Sequence, residues 1–355
     1  MSSSANVQGL DHVEFYVGDA QRAASSLCAS FGFRLDEEGG ADRALAGGRS
    51  PLLRQGDIRI VLSSGATAGS KASDYVSRHG DGVAIIALAA DDVGRACAHA
   101  VRHGATPVSE PVTLTHDGVR TVVATVSGFG DVVHRLVERH EPAGGPMPET
   151  AELTGGDMLR TIDHVAVCLP PGHLRPVVRF YEEAFGFAQV FEERIELGEQ
   201  TMDSVVVQDS GRQATFTLLE PGRGCPGQIS DFLRRHGGPG VQHLAFGTPD
   251  IASAVRDIAS RGVSFLSTPD SYYDALEQRL GRPDIPVGRL RSLGILADRD
   301  HGGQMFQIFS RSTHPRQTFF FELIERHGAV TFGSANIKAL YEAVERADAR
   351  ERANA

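Results

Sequence analysis

One module is written twice in this 355-residue chain, and that duplication limits its fold more than any other feature. LDHVEFYVGDAQRAASSLCASFGF, residues 10–33, has its counterpart in IDHVAVCLPPGHLRPVVRFYEEAFGF, residues 162–187: a strand, a loop, a helix and then FGF. SDYVSRHGDGV from Ser73 matches SDFLRRHGGPGV from Ser230. DDVGRACAHAVRHGATPVSEP from Asp91 matches PDIASAVRDIASRGVSFLSTP from Pro249, each with an acidic residue at the helix start and a glycine at its end. TVVATVSGFGDVVHRLVER, closing at Arg139, corresponds to the strands that close in FFFELIER at Arg326. Matches in one order predict an α+β chain of two tandem repeats, each carrying a sheet, packed side by side.

Between the copies, EPAGGPMPETAELTGGDM (Glu141 to Met158) has the proline, glycine and polar content of a linker. The expected division is therefore residues 1–150 and residues 151–355. The copies differ in length: Gly104 to Gly262 is an offset of 158, Arg135 to Glu322 one of 187. The second copy thus carries about 29 extra residues, mostly in SYYDALEQRLGRPDIPVGRLRSLGILADRD. A connection of that length is expected to serve as a functional cover.

Glu322 is the chemical anomaly. It lies among Phe319, Phe320, Phe321, Leu323 and Ile324, where a carboxylate is costly to bury unless it is paired, hydrogen-bonded or bound to metal. Past Gly328, Ser334 reads as an N-cap, and Ile337, Leu340, Tyr341 and Val344 make the apolar stripe of a helix that closes over the strand.

With the repeat as a ruler, His164 aligns with His12, His243 with Ile85, and Glu322 with Arg135. Only the second copy holds all three. Taken singly, a strand histidine is an ordinary hydrogen-bonded core residue. Taken together, two imidazoles and a carboxylate on three strands match the face that holds Fe(II) with positions left open. Zinc is chemically compatible with the same ligands, although no HExxH helix accompanies them. His12 lacks a second ligand and reads as structural; His301, His314 and His327 flank loops or turns and read as surface residues. Asp298 and Asp300, beside His301, Gly302 and Gly303, read as a solvated turn.

Composition removes other classes. A net charge of -10 without a cluster of lysine and arginine argues against a nucleic-acid partner. MSSSANVQGL lacks the features of a signal peptide, and Val83 to Ala90 is too short to span a membrane, so a soluble cytoplasmic protein is expected, with a homo-oligomer compatible with the sequence. Cys28, Cys97, Cys168 and Cys225 have no CxxC spacing and suggest neither disulfides nor a thiolate site.

IDHVAVCL, GVQHLAF, TPDSYYDAL, ILADRD, QIFSRSTHPR, FFFELIERHGA and TFGSANIKALYEAVE together resemble the 4-hydroxyphenylpyruvate dioxygenase family of the vicinal-oxygen-chelate fold, over nearly the whole chain. The resemblance implies that His164, His243 and Glu322 bind Fe(II). It implies substrate contacts from Ser204, Thr217, Gln307, Phe309, Phe332, Asn336 and Ile337, with 4-hydroxyphenylpyruvate and dioxygen as substrates. Two departures bear on the product. Members that make homogentisate usually carry Pro-Ile-Asn where this chain has Thr217, Leu218 and Leu219, and Phe where it has Ile337. Both departures look like the branch that hydroxylates the benzylic carbon to give 4-hydroxymandelate and carbon dioxide. A ring-cleaving dioxygenase with a catechol substrate, or a non-enzymatic binder of the same fold, are the other readings; substrate-dependent carbon dioxide release and metal analysis separate them.

Overall fold

The computed structural model describes residues 7–36, 50–65, 67, 69–116, 119–140, 157–197, 200–224, 227–333, 336 and 338. The first sheet contains β1 (Val7–Tyr16), β2 (Arg34–Leu35), β3 (Leu52–Gln55), β4 (Ile58–Ser63), β5 (Gly82–Ala90), β6 (Pro107–His116), β7 (Val119–Ser127) and β8 (Val133–His140), in the order β2-β3-β4-β1-β5-β8-β7-β6. The second contains β9 (Thr161–Cys168), β10 (Ala188–Leu197), β11 (Gln200–Gln208), β12 (Thr215–Pro221), β13 (Gly240–Gly247), β14 (Leu296–Arg299), β15 (Gln304–Phe309) and β16 (Phe320–His327). Its order, β10-β11-β12-β9-β13-β16-β15-β14, is the same permutation. The duplication read in the sequence is therefore a duplication of topology.

Register confirms the alignment residue by residue. Ala87 pairs with His12 on one side and Arg135 on the other. In the second sheet Ala245 pairs with His164 and Glu322. Ile85 pairs with Glu14 and Val133, as His243 pairs with Ala166 and Phe320.

The repeated FGF has a physical cause in both copies. Gly32 (φ 79°) and Gly186 (φ 73°) end the helices Ala20–Phe31 and Leu174–Phe185 in the left-handed conformation, which glycine adopts without a Cβ penalty. The flanking Phe31, Phe33, Phe185 and Phe187 are buried. Phe31 packs edge-on against Phe321 of the other copy at 4.8 Å, and Phe185 packs against His134 at 5.2 Å. Because His134 and Phe321 are equivalent positions, each helix end covers the opposite sheet, and one apolar core runs through both repeats.

The extra segment of the second copy is not an open loop. It folds as three short helices, Asp270–Asp274, Leu276–Leu280 and Val287–Leu293, that bury Tyr272, Tyr273, Leu276, Leu280 and Leu290. Of the helix expected from Ser334, only Asn336 and Lys338 fall among the described residues, and both are helical; Ser334, Ile337, Leu340, Tyr341 and Val344 lie outside them, as does most of the linker. No helix among the described residues is long and apolar enough to cross a membrane.

Candidate metal centre

Three neighbouring strands of the second sheet, β9, β13 and β16, deliver His164, His243 and Glu322 to one point. His164 and Glu322 flank Ala245 in a row across the strands, and His243 stands two residues along on the same face. Nε2 of His164 lies 3.4 Å and Nε2 of His243 3.3 Å from Oε2 of Glu322. Three donor atoms, one from each residue, fall within 4.8 Å of one another, and all three side chains are buried.

Each imidazole is aimed by its other nitrogen. His164 Nδ1 donates to Asp163 Oδ1 at 2.8 Å, and His243 Nδ1 donates to Gln242 Oε1 at 3.3 Å, so both Nε2 atoms are directed at Glu322. Rings fix the planes: Phe320 stacks on His243 at 4.8 Å, while Phe332 meets His164 edge-on at 5.3 Å.

Burial would raise the Glu322 carboxyl, but the charge and hydrogen bond of His164 beside it hold it down at about 2. Burial would likewise lower His164; the Glu322 charge and the bonds to Asp163 and Glu322 override it and push it up to about 9. His243 is lowered, chiefly by burial. A carboxylate buried to 2% exposure is costly unless it is paired or bound to a cation, and among the described residues only the two imidazoles face it. Two imidazole nitrogens and one carboxylate, with no thiolate, fit Fe(II) in its three-ligand facial arrangement.

The equivalent place in the first copy is closed differently. Arg135 donates through Nη1 to Glu14 Oε2 at 2.7 Å and approaches His12 Nε2 at 3.4 Å, while His12 Nδ1 bonds Asp11 at 2.6 Å. A guanidinium occupies the row position of the third ligand, and His12 is held between Asp11 and Arg135.

The described residues expected at the substrate gather around the same sheet, and Ile337 lies outside the described residues. Ser204 and Thr217 are buried on β11 and β12, and Thr217 Oγ1 is a buried hydroxyl with no partner among the described residues, an atom suited to a ligand. Gln307 is buried on β15, and Asn336 Nδ2 donates to its Oε1 at 3.4 Å. Phe309, cross-strand from Glu322, has its ring 6.2 Å from that of His243. Gly333 (φ 71°) is required beside Gln307: a Cβ there would lie 2.0 Å from Gln307 Oε1.

Two features escaped the sequence reading. Asp298 is buried rather than solvated, because β14 carries it inward, where it pairs with Arg279 at 3.5 Å and accepts from Asn336 N at 3.3 Å. Asp300 does sit in the turn, yet it accepts from the amides of Gly302, Gly303, Val330 and Thr331. The second feature is a latch: Tyr272 Oη donates to Asn336 Oδ1 at 2.6 Å and accepts from Arg279 and the Ala297 amide. The extra length of the second copy was its one sequence signal.

A duplicated eight-stranded sheet bearing a two-histidine, one-carboxylate face defines a vicinal-oxygen-chelate metalloenzyme, and the model of the Glyoxalase/Bleomycin resistance protein/Dioxygenase superfamily matches residues 9–132 and 161–308. Within that class the chain belongs to the 4-hydroxyphenylpyruvate dioxygenase family of non-haem Fe(II) enzymes. It is 32% identical to the 4-hydroxyphenylpyruvate dioxygenase of Aspergillus fumigatus, covering 98% of this chain and 94% of that protein. It is 33% identical to that of Dictyostelium discoideum, covering 96% and 98%. A solved structure of a triple mutant of 4-hydroxymandelate synthase from Streptomyces coelicolor superposes with a TM-score of 0.81 at 40% identity, covering 97% of this chain and 99% of the other.

Proposed function

We propose that this chain converts 4-hydroxyphenylpyruvate and dioxygen to 4-hydroxymandelate and carbon dioxide, with Fe(II) held by His164, His243 and Glu322. The convergence of these three buried donors on one point supports the reading. Iron supplies open coordination positions and the electrons that activate dioxygen. The chain's own residues bind and orient. Ser204, Thr217, Gln307 and Asn336 offer hydroxyl and amide groups to the polar ends of the substrate, and Phe309, Phe332 and Ile337 pack on its ring. Burial of the site excludes water from a reactive oxidant. In this division of labour, residues 1–150 carry no complete metal site and residues 151–355 carry catalysis.

Product choice rests on Thr217, Leu218, Leu219 and Ile337, which depart from the homogentisate-forming pattern, and on the 40% identity to a 4-hydroxymandelate synthase mutant. Homogentisate formation is the second reading, favoured by the names of the dioxygenase relatives. Aerobic turnover of 4-hydroxyphenylpyruvate with Fe(II) tests both. The two products are isomers, so chromatography against standards or NMR must separate them. Homogentisate as the sole product would overturn the assignment.

A further inference from the structure

Arg326 spreads one guanidinium over two tasks. Its Nε and Nη2 donate to Asp163 Oδ2 and Oδ1 at 2.7 and 2.8 Å, and Asp163 is the residue that aims His164. Its Nη1 donates to the carbonyl oxygens of Ala329 at 3.1 Å and Thr331 at 2.7 Å. The cation lies 4.9 Å from the centroid of Phe332, whose ring meets His164. Contacts thus close a circuit from Arg326 through Asp163, His164 and Phe332 back to Arg326. From the other side Asp300 accepts the amides of Val330 and Thr331, both at 2.7 Å.

The first copy provides an internal comparison. Arg139 donates to Asp11 through Nε and Nη2, both at 2.7 Å, and Asp11 bonds His12 Nδ1. The clamp of arginine, aspartate and histidine therefore belongs to the module itself and does not require a metal-binding triad. In the second copy the same clamp has the triad at one end and residues 329–332 at the other.

We infer that Arg326 is a positioning residue that couples the orientation of His164 to the ordering of residues 329–332, so that metal entry tightens this segment and loss of the clamp loosens the metal. The inference rests on the metal site proposed above. The planar fork makes the coupling feasible, since two donors grip a carboxylate while a third holds carbonyl oxygens, which a single ammonium cannot reproduce.

Anaerobic Co(II), which needs no substrate, serves as the probe. Its dissociation constant is measured in the wild type and in Arg326→Gln, Arg326→Lys and Arg139→Gln, together with hydrogen exchange of residues 328–333 with and without Co(II). In the wild type Co(II) should slow exchange at Val330 and Thr331. Arg326→Gln should weaken Co(II) about 10- to 100-fold and abolish the metal-dependent protection. Arg326→Lys should recover part of the affinity through Asp163 but not the protection, and Arg139→Gln should keep both. Wild-type exchange indifferent to bound Co(II), or Arg326→Gln binding within about threefold of wild type, overturns the coupling and leaves the metal site standing. A wild type that binds no Co(II) at the triad removes the metal reading and this inference with it. The wild-type exchange comparison needs no variant, so misfolding of a mutant does not shield the inference.

Discussion

Tyr181 Oη donates a 2.9 Å hydrogen bond to Nε2 of His134, joining the first helix of the second repeat to the last strand of the first. The other nitrogen, Nδ1, faces the Ile86 carbonyl at 3.4 Å, which sets the neutral tautomer. Both residues are fully buried.

Burial lowers His134 to about 4 from its ordinary 6.5. Between those values the unfolded chain binds a proton that the folded chain refuses, so this stability is complete above pH 6.5 and is lost as pH falls toward 4. A displacement of that size corresponds to about 3 kcal/mol at most. Urea unfolding of wild type and His134→Gln at pH 7.5 and pH 5 checks it: the variant should lose less stability on acidification. Equal losses would show that His134 does not carry this dependence.

Alanine at His164, His243 or Glu322 should weaken Fe(II) by more than about 100-fold, beyond the effect of losing an outer-shell partner. His12→Ala should retain one iron per chain, since Arg135 already fills the corresponding row. Iron content after anaerobic loading and gel filtration, read beside turnover, decides the matter. Full iron in all three ligand variants would rule out the site.

Tyr272→Phe deletes the hydroxyl that ties the inserted helices to Asn336 and removes the acceptor of the Ala297 amide, while Arg279 keeps the Ala297 carbonyl and Asn336 Oδ1, a loss of about 1–3 kcal/mol. KM for 4-hydroxyphenylpyruvate should rise about tenfold, as 1.4 kcal/mol implies, and exchange at Asn336 should quicken while iron content holds. If KM and exchange both stay at wild-type values, the hydroxyl is not a latch.

On the product assignment proposed above, Ile337→Phe should shift products away from 4-hydroxymandelate toward ring attack or uncoupled 4-hydroxyphenylacetate, since the larger side chain would restrict how far the substrate ring can swing aside. About 1.4 kcal/mol between the two barriers changes the ratio tenfold. Conversion should be incomplete, since Thr217 and Leu219 also differ. An unchanged ratio would remove Ile337 from control of the branch.

Much of this architecture was legible because duplication converts spacing into geometry. Once His12, Ile85 and Arg135 are aligned with His164, His243 and Glu322, strand register follows, and Ala87 and Ala245 occupy matching places. The clamps were also within reach: an aspartate precedes both histidines, and both repeats close in Glu-Arg. Their meaning required three dimensions, since Asp163 and Arg326 meet only when β9 and β16 flank β13. The inserted segment was least legible. It has no counterpart in the first copy to set its register, and the burial of Asp298 depends on Arg279 arriving from a separate helix.

Arg135 gives the molecule a lasting asymmetry. Its positive charge is covalent, whereas the charge expected among the donors of the second sheet is exchangeable. A chelator can therefore discharge the second of two architecturally matched sheets and not the first. The first repeat then acts as a built-in reference: a change seen equally in both after iron removal reports on the shared core, and a change seen only in the second reports on the ion.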